Sequence, residues 1–275
     1  MNATKGRVIG LIPAAGLGSR IAPLPMSKEL YPVGFGETSS GRTGPKAAAE
    51  YLLERMAIAG VGEAFVILRP GKWDIPAYLG DGSGFGIRTA YLTVHVQHGV
   101  PFTLDQAFPF IHGCWVALGF PDILFWPEDA YATLLQRLGG SSADAVLGLF
   151  PTKEPHKVGV VDIDTEGRVR GIYEKSGRTD LPYMWAIAVW KPSFTEFLHL
   201  QIQDLLQTLH GDQHPQAQER IVAAGVAEVP IGDILHAAIA AGLRVEAEVF
   251  RDGCYLDIGT PENLYRAIRQ EHGHS

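Results

Sequence analysis

The sequence predicts an α/β fold: a mostly parallel, mixed central sheet flanked by helices. Three observations carry this expectation. Apolar runs of strand length alternate with segments of helical spacing through the first half of the chain. The first run, Val8–Pro13, is apolar almost throughout, as a strand covered on both faces must be. It runs straight into Gly16-Leu17-Gly18, and open α/β sheets bind ligands beyond the carboxyl ends of their strands.

The elements follow in order. After strand Val8–Pro13, the stretch Gly34 to Pro45 reads as a flexible loop on its Gly, Ser and Pro content. Lys46 to Ala59 has apolar residues at helical spacing and stops at Gly60. Glu63–Leu68 is a second buried strand, Trp73–Leu79 a helix, and Ile87–Val96 a β-rich stretch. Leu104–Phe110 is expected as a helix, Cys114–Leu118 as an apolar run, Tyr131–Leu138 as a helix and Ala145–Phe150 as a strand. Val158–Asp164 and Val169–Glu174 form a hairpin around Thr165-Glu166-Gly167. Strand Tyr183–Trp190 and helices Phe194–Leu209 and Ile231–Ala241 come next. The strands Val245–Phe250 and Cys254–Ile258 precede a helix from Pro261 to His272, capped by Thr260. No repeat or linker divides the chain, so one domain is expected over 1–275, with parts of about 1–155 and 156–275 and the later strands as a small β-rich lid.

Composition narrows the function. A chain of 275 residues, 46% hydrophobic and 19% charged, is long enough for one large core. The net charge of −7 argues against a general nucleic-acid binder, which needs a basic face. Cys114 and Cys254 are far apart, giving neither a disulfide framework nor zinc spacing. The polar start Met1–Arg7 has no signal-peptide character, and no apolar run reaches the ~18 residues of a membrane span. A cytoplasmic protein without membrane contact is expected. His95 and His98 lack a third ligand nearby and read as surface or packing residues, and the tail His272-Gly273-His274 as a frayed end.

The glycine turn admits three readings. A dinucleotide fingerprint needs a third glycine where Ile21 stands, and an acidic residue where Leu68-Arg69-Pro70 stands. A phosphate loop of the Gly-Lys-Ser/Thr type is excluded by Gly18-Ser19-Arg20. In the third reading, glycine backbone approaches an anion closely while Arg20 and Lys28 supply fixed charge: a polyphosphate cradle.

This stretch resembles the signature of the sugar-1-phosphate nucleotidyltransferases, the NDP-sugar pyrophosphorylases. The residues are Gly16-Leu17-Gly18-Ser19-Arg20, then Lys28, then Pro32-Val33, fixed types in order over about 20 positions. Leu79–Gly86 is similar to a segment of glucose-1-phosphate thymidylyltransferases, and the uridylyl branch is comparably near. Val158–Val161, Tyr173-Glu174-Lys175 and Leu256–Pro261 fall where the family has its sugar-phosphate and metal motifs.

The resemblance implies a Rossmann-like sheet with a nucleotide-binding first part and a sugar-binding second part. It also implies attack by a sugar 1-phosphate on the α-phosphorus of an NTP, dTTP or UTP, with Mg²⁺ as cofactor and pyrophosphate as leaving group. Such a reaction rests on charge neutralisation and in-line alignment. In these terms Ala15, Gly16, Gly18 and Ser19 hold the triphosphate, Arg20 the leaving pyrophosphate, and Lys28 the α-phosphate. Asp122 and Asp257 are the implied metal ligands, with Asp122 also catalytic. Gly159, Glu174 and Lys175 are implied on the sugar phosphate, and Gln97 with Thr103 on the base.

Five positions at four places depart from the family pattern: Thr103 for Gly, Pro121 for the Gly before the aspartate, Ser176 for Pro, and Trp185-Ala186 for Thr-Gly. A divergent sugar specificity is therefore expected. Two alternatives stay open: a nucleotide-sugar-binding or sensory protein without turnover, and a cytidylyltransferase for a non-sugar phosphorylated acceptor. The partners are an NTP and a sugar 1-phosphate; a homo-oligomer stays open.

Overall fold

A computed structural model describes residues 6–37, 42–94, 98–209 and 228–269. Its centre is a nine-stranded mixed sheet. In the first half of the chain, β1 (Val8–Pro13), β4 (Glu63–Leu68), β5 (Arg88–Thr93) and β6 (Trp115–Leu118) pair in parallel in the order β5-β4-β1-β6. The antiparallel strand β11 (Tyr183–Trp190) joins β6 to β8 (Ala145–Pro151), and β12 (Val245–Val249) adds in parallel to β8.

Alternation along these strands feeds two cores. Ile9 and Leu11 of β1 face one cluster with Val116 and Leu118, while Ile12 faces another with Ala117 and Val66. Helix α1 (Ala48–Ile58) buries Leu52, Leu53 and Met56 in the second cluster, and α5 (Ala130–Gly140) adds Leu134, Leu135 and Leu138. Helices α6 (Pro192–Leu209) and α7 (Ile231–Ala240) cover the first, through Phe194, Leu198, Ile231 and Leu235. Both sheet faces are therefore closed, and the strands' carboxyl ends remain as the place for a site.

The hairpin of β9 (Gly159–Ile163) and β10 (Val169–Glu174) joins β11 at Met184–Val160. Its turn reaches β12, where the Ala247 amide donates to Gly167 at 2.8 Å. β9 and β10 thus form one edge of that same sheet.

Several expectations are corrected. The Gly34–Pro45 stretch is not a plain loop: β2 (Pro32–Glu37) and β3 (Thr43–Ala47) pair as an antiparallel ribbon, so α1 starts at Ala48 rather than Lys46. At Gly34 the glycine is a packing requirement, since a Cβ there would meet the Tyr51 hydroxyl at 2.1 Å. The helix expected over Leu104–Phe110 is two short ones, α3 (Val100–Asp105) and α4 (Phe108–Ile111), with Pro109 opening the second. A strand absent from the sequence reading, β7 (Ile123–Trp126), pairs with β13 (Cys254–Asp257). Helix α2 spans Asp74–Leu79 and α8 Pro261–Ile268; the end of the expected Pro261–His272 helix, with His272 and His274, lies outside the described residues, as does His95. Among the described residues no helix is long and apolar enough to cross a membrane.

Candidate active site

A cavity of about 290 Å³ opens at the carboxyl ends of the parallel strands. Pro13, Ala15 and Gly16 come to it from β1, Phe120 and Asp122 from beyond β6, and Gly99, Val100 and Thr103 from the start of α3. Arg20, Lys28 and Glu29 close it from the loop after β1. Six residues singled out in the sequence therefore line one space: Ala15, Gly16, Arg20, Lys28, Thr103 and Asp122; Asp257 stands outside its lining, 3.8 Å from Arg20.

The glycine turn has two different glycines. Gly18 has φ +65°, a left-handed backbone that a side chain disfavours. Gly16 has no such φ, and a Cβ built on it meets nothing within 4 Å. The protein itself places no steric demand for glycine at position 16. Ser19 is exposed and stands outside the cavity lining.

Two aspartates converge through a connection no sequence pattern displayed. β7 and β13 pair antiparallel with Asp257 opposite Ile123, and the Ile258 amide donates to the Asp122 carbonyl at 3.0 Å. Asp122 and Asp257 are thereby brought side by side from positions far apart in the chain. Lys28 forms an ion pair and hydrogen bond with Asp122. Arg20 approaches Asp257 at 3.8 Å, and Asp257 also accepts the Gly259 amide at 2.7 Å.

The charges are mutually tuned. Burial, then the Asp122 charge, holds the Asp257 carboxyl above its ordinary value, against the Gly259 amide, Lys28 and Arg20. Burial works to lower Lys28, but Asp122, by charge and hydrogen bond, outweighs it and the ammonium is held above its ordinary value. Asp122 and Asp257 are two hard oxygen donors side by side; among the described residues no group of three or more His, Cys, Asp and Glu is placed to hold a metal ion. That donor set fits Mg²⁺, which takes one or two carboxylates and completes its shell with phosphate oxygens and water.

Glu29 was not anticipated. It is 2% exposed, one carboxylate oxygen accepts from Lys72 at 2.6 Å, and the other has no partner. Burial raises its carboxyl above the ordinary value, with Lys72 opposing. A lone glutamate inside a signature stretch carries no pattern that would have marked it.

The residues expected on a sugar phosphate form a second group. Glu174 ends β10, where burial raises its carboxyl and a hydrogen bond from Trp185 opposes the rise. A Cβ on Gly159 would meet its Oε1 at 2.6 Å and one on Gly232 at 2.0 Å, so these glycines make room for Glu174 itself. The space beside Gly159 is thus filled by the carboxylate. Lys175 is exposed and takes φ +46°, the one positive φ of a non-glycine residue among those described. Trp185, one of the family departures, links the groups: its ring meets Phe120 of the cavity edge-on, centroids 6.0 Å apart.

Thr103 is buried at the cavity, with its hydroxyl turned onto the Gly99 carbonyl at 3.4 Å. Gln97 lies outside the described residues. His98 is buried against Phe102, edge-on at 5.3 Å, in keeping with a packing role.

The family model described as nucleotidyl transferase matches residues 9–273. The chain belongs to the nucleotidyl transferase family. Among curated relatives, it is 23% identical over 263 residues to the low-salt glycan biosynthesis nucleotidyltransferase Agl11 of Haloferax volcanii, covering 94% of this chain and 64% of that protein. It is 28% identical over 262 residues to a glucose-1-phosphate thymidylyltransferase of Actinoplanes sp., covering 94% of this chain and 76% of that one. The chain thus spans just under two thirds of the first relative's length. A Bacillus anthracis structure provisionally named glucose-1-phosphate thymidylyltransferase, solved with sucrose, superimposes with a TM-score of 0.75 at 19% identity. It covers 98% of this chain and 96% of that one, and shows the same α/β fold.

Proposed function

We propose that this protein transfers a nucleotidyl group from an NTP, dTTP or UTP, to a sugar 1-phosphate, releasing an NDP-sugar and pyrophosphate. The observation that carries the reading is the grouping of Lys28, Asp122 and Arg20 at one cavity beside the glycine turn, with Asp257 paired to Arg20 at its edge. A pure phosphate site has no need of paired carboxylates facing two cations.

The reaction brings together two polyanions, so the residues act mainly by charge and placement. The backbone of Ala15–Gly18 lies along the triphosphate, and Ser19 and Arg20 meet its outer phosphates. Lys28 leaves Asp122 for the α-phosphate, where its compact ammonium offsets charge building at phosphorus. Asp122 and Asp257 would hold Mg²⁺, which when bound neutralises phosphate oxygens. The acceptor's phosphate oxygen attacks the α-phosphorus in line as the bond to pyrophosphate breaks. Lys175 pairs the acceptor phosphate and Glu174 accepts from its hydroxyls; Gln97 and Thr103 border the base.

The test is pyrophosphate release from a panel of NTPs and sugar 1-phosphates with Mg²⁺. At least one pairing should turn over, and Asp122→Asn and Asp257→Asn should each remove the activity. Full activity in both variants overturns the metal assignment. A nucleotide-sugar binder without turnover is the second reading, motivated by the departures at Thr103, Pro121, Ser176 and Trp185. Calorimetric binding with no pyrophosphate from any pairing selects it.

A further inference from the structure

Three consecutive residues, Ser27-Lys28-Glu29, are each held by a different side chain. Lys28 faces Asp122. The residue before it, Ser27, donates its amide to Asp74 Oδ2 at 2.6 Å and its hydroxyl to Asp74 Oδ1 at 2.8 Å. The residue after it, Glu29, takes the Lys72 ammonium on Oε1 at 2.6 Å. Lys72 is 12% and Glu29 2% exposed in this pair, so water screens it little.

Lys72 and Asp74 belong to one short segment that follows β4. β4 is in turn locked to β1, the Ala14 amide donating to the Ile67 carbonyl at 2.8 Å beyond the last ladder pairs. The turn bearing Lys28 is a single 3-10 turn, Lys28–Leu30, with no side-chain cap of its own. A lysine stem is flexible, and an ammonium misplaced by about 1 Å loses much of its effect on a transferring phosphoryl group.

We infer that Asp74, through Ser27, and Lys72, through Glu29, are positioning residues that clamp the Lys28 turn against the β1–β4 frame. The inference rests on the proposed nucleotidyl transfer for what Lys28 does, and on geometry alone for how it is held. Lys28 keeps a fixed base while its ammonium moves from Asp122 to phosphate.

Two readouts test this. In the pairing with the highest pyrophosphate release, Asp74→Ala should lower kcat about 10-fold or more while KM for the sugar 1-phosphate stays within about twofold. The Asp74→Ala, Lys28→Ala double variant should be no slower than Lys28→Ala by itself, because the clamp acts only through that lysine. Ser27→Ala, which removes a single hydrogen bond and spares the fold, should show a smaller effect with the same coupling. The second readout needs no turnover: acylation of the Lys28 amine by a succinimidyl ester, followed by mass spectrometry, should quicken about fivefold in Asp74→Ala relative to Lys157. An additive cycle, or unchanged Lys28 labelling, overturns the inference. If no protein releases pyrophosphate, the functional reading fails and the labelling by itself decides the clamp.

Discussion

Asp257 is held above the ordinary carboxylate range by burial and then by the charge of Asp122 beside it. The unfolded chain carries position 257 near its ordinary value of 3.8, so the folded state binds the proton more tightly. Folding stability is therefore favoured by this group at low pH and lost as pH rises from that value through the raised folded one. Asp257→Asn keeps an acceptor for the Gly259 amide and removes the charge. It should raise the melting temperature at pH 7–8, by about 2–4 °C for each kcal/mol regained, and the gain should vanish below pH 3.8. Under the proposed function the same variant should also lose turnover, and melting curves across pH read the trade-off.

This pair also shows where sequence reading stopped. Both aspartates were named from the resemblance, but nothing in the sequence displayed what joins them. β7 is four residues long and hidden behind Pro121-Asp122, and its partner β13 arrives from the far end of the chain. Long-range pairing of short strands leaves no local signal. The parallel strands β1, β4 and β6 were legible because burial on both faces makes them continuously apolar. The β2–β3 ribbon was not, since Gly34, Gly36, Gly44 and Pro45 have loop composition and pair through backbone alone. Glu29, Lys72 and Asp74 carry no sequence signal, because charged residues in or beside short turns and helix starts read as solvated until their partners are known.

Gly16→Ala separates the demands of the fold from those of a ligand. With open space around its Cβ and an ordinary φ, the variant should melt within a degree or two of the parent protein. Calorimetric affinity for an NTP should fall about 10-fold if, as proposed, the phosphates approach the backbone where the methyl group is added.

Arg55 is a cost carried by the core. It is 2% exposed, all three guanidinium nitrogens lack hydrogen-bond partners, and the rings of Tyr51, Phe125 and Trp126 surround it at 4.9–5.3 Å. Burial lowers its pKa, with Glu128 and Glu54 opposing. An apolar side chain of similar length gives up the cation–π contacts but removes a larger desolvation cost. Arg55→Met should therefore unfold at higher urea, by about 1–2 kcal/mol, whereas Arg55→Lys should be less stable than the parent.

Trp185→Phe removes the hydrogen bond to Glu174 while keeping an aromatic ring toward Phe120. Without that donor the Glu174 carboxyl rises further. KM for the sugar 1-phosphate should then shift about 10-fold with KM for the NTP unchanged, as steady-state kinetics in each substrate would show.

The most direct test of the grouped charges is a single-turnover reaction with α-labelled dTTP or UTP, sugar 1-phosphate and Mg²⁺. The parent protein should convert the label to NDP-sugar with one pyrophosphate per product, and Lys28→Ala should slow that step by about 100-fold or more. Equal rates in the parent and Lys28→Ala proteins, or nucleotide binding with no NDP-sugar from any pairing, would contradict the assignment.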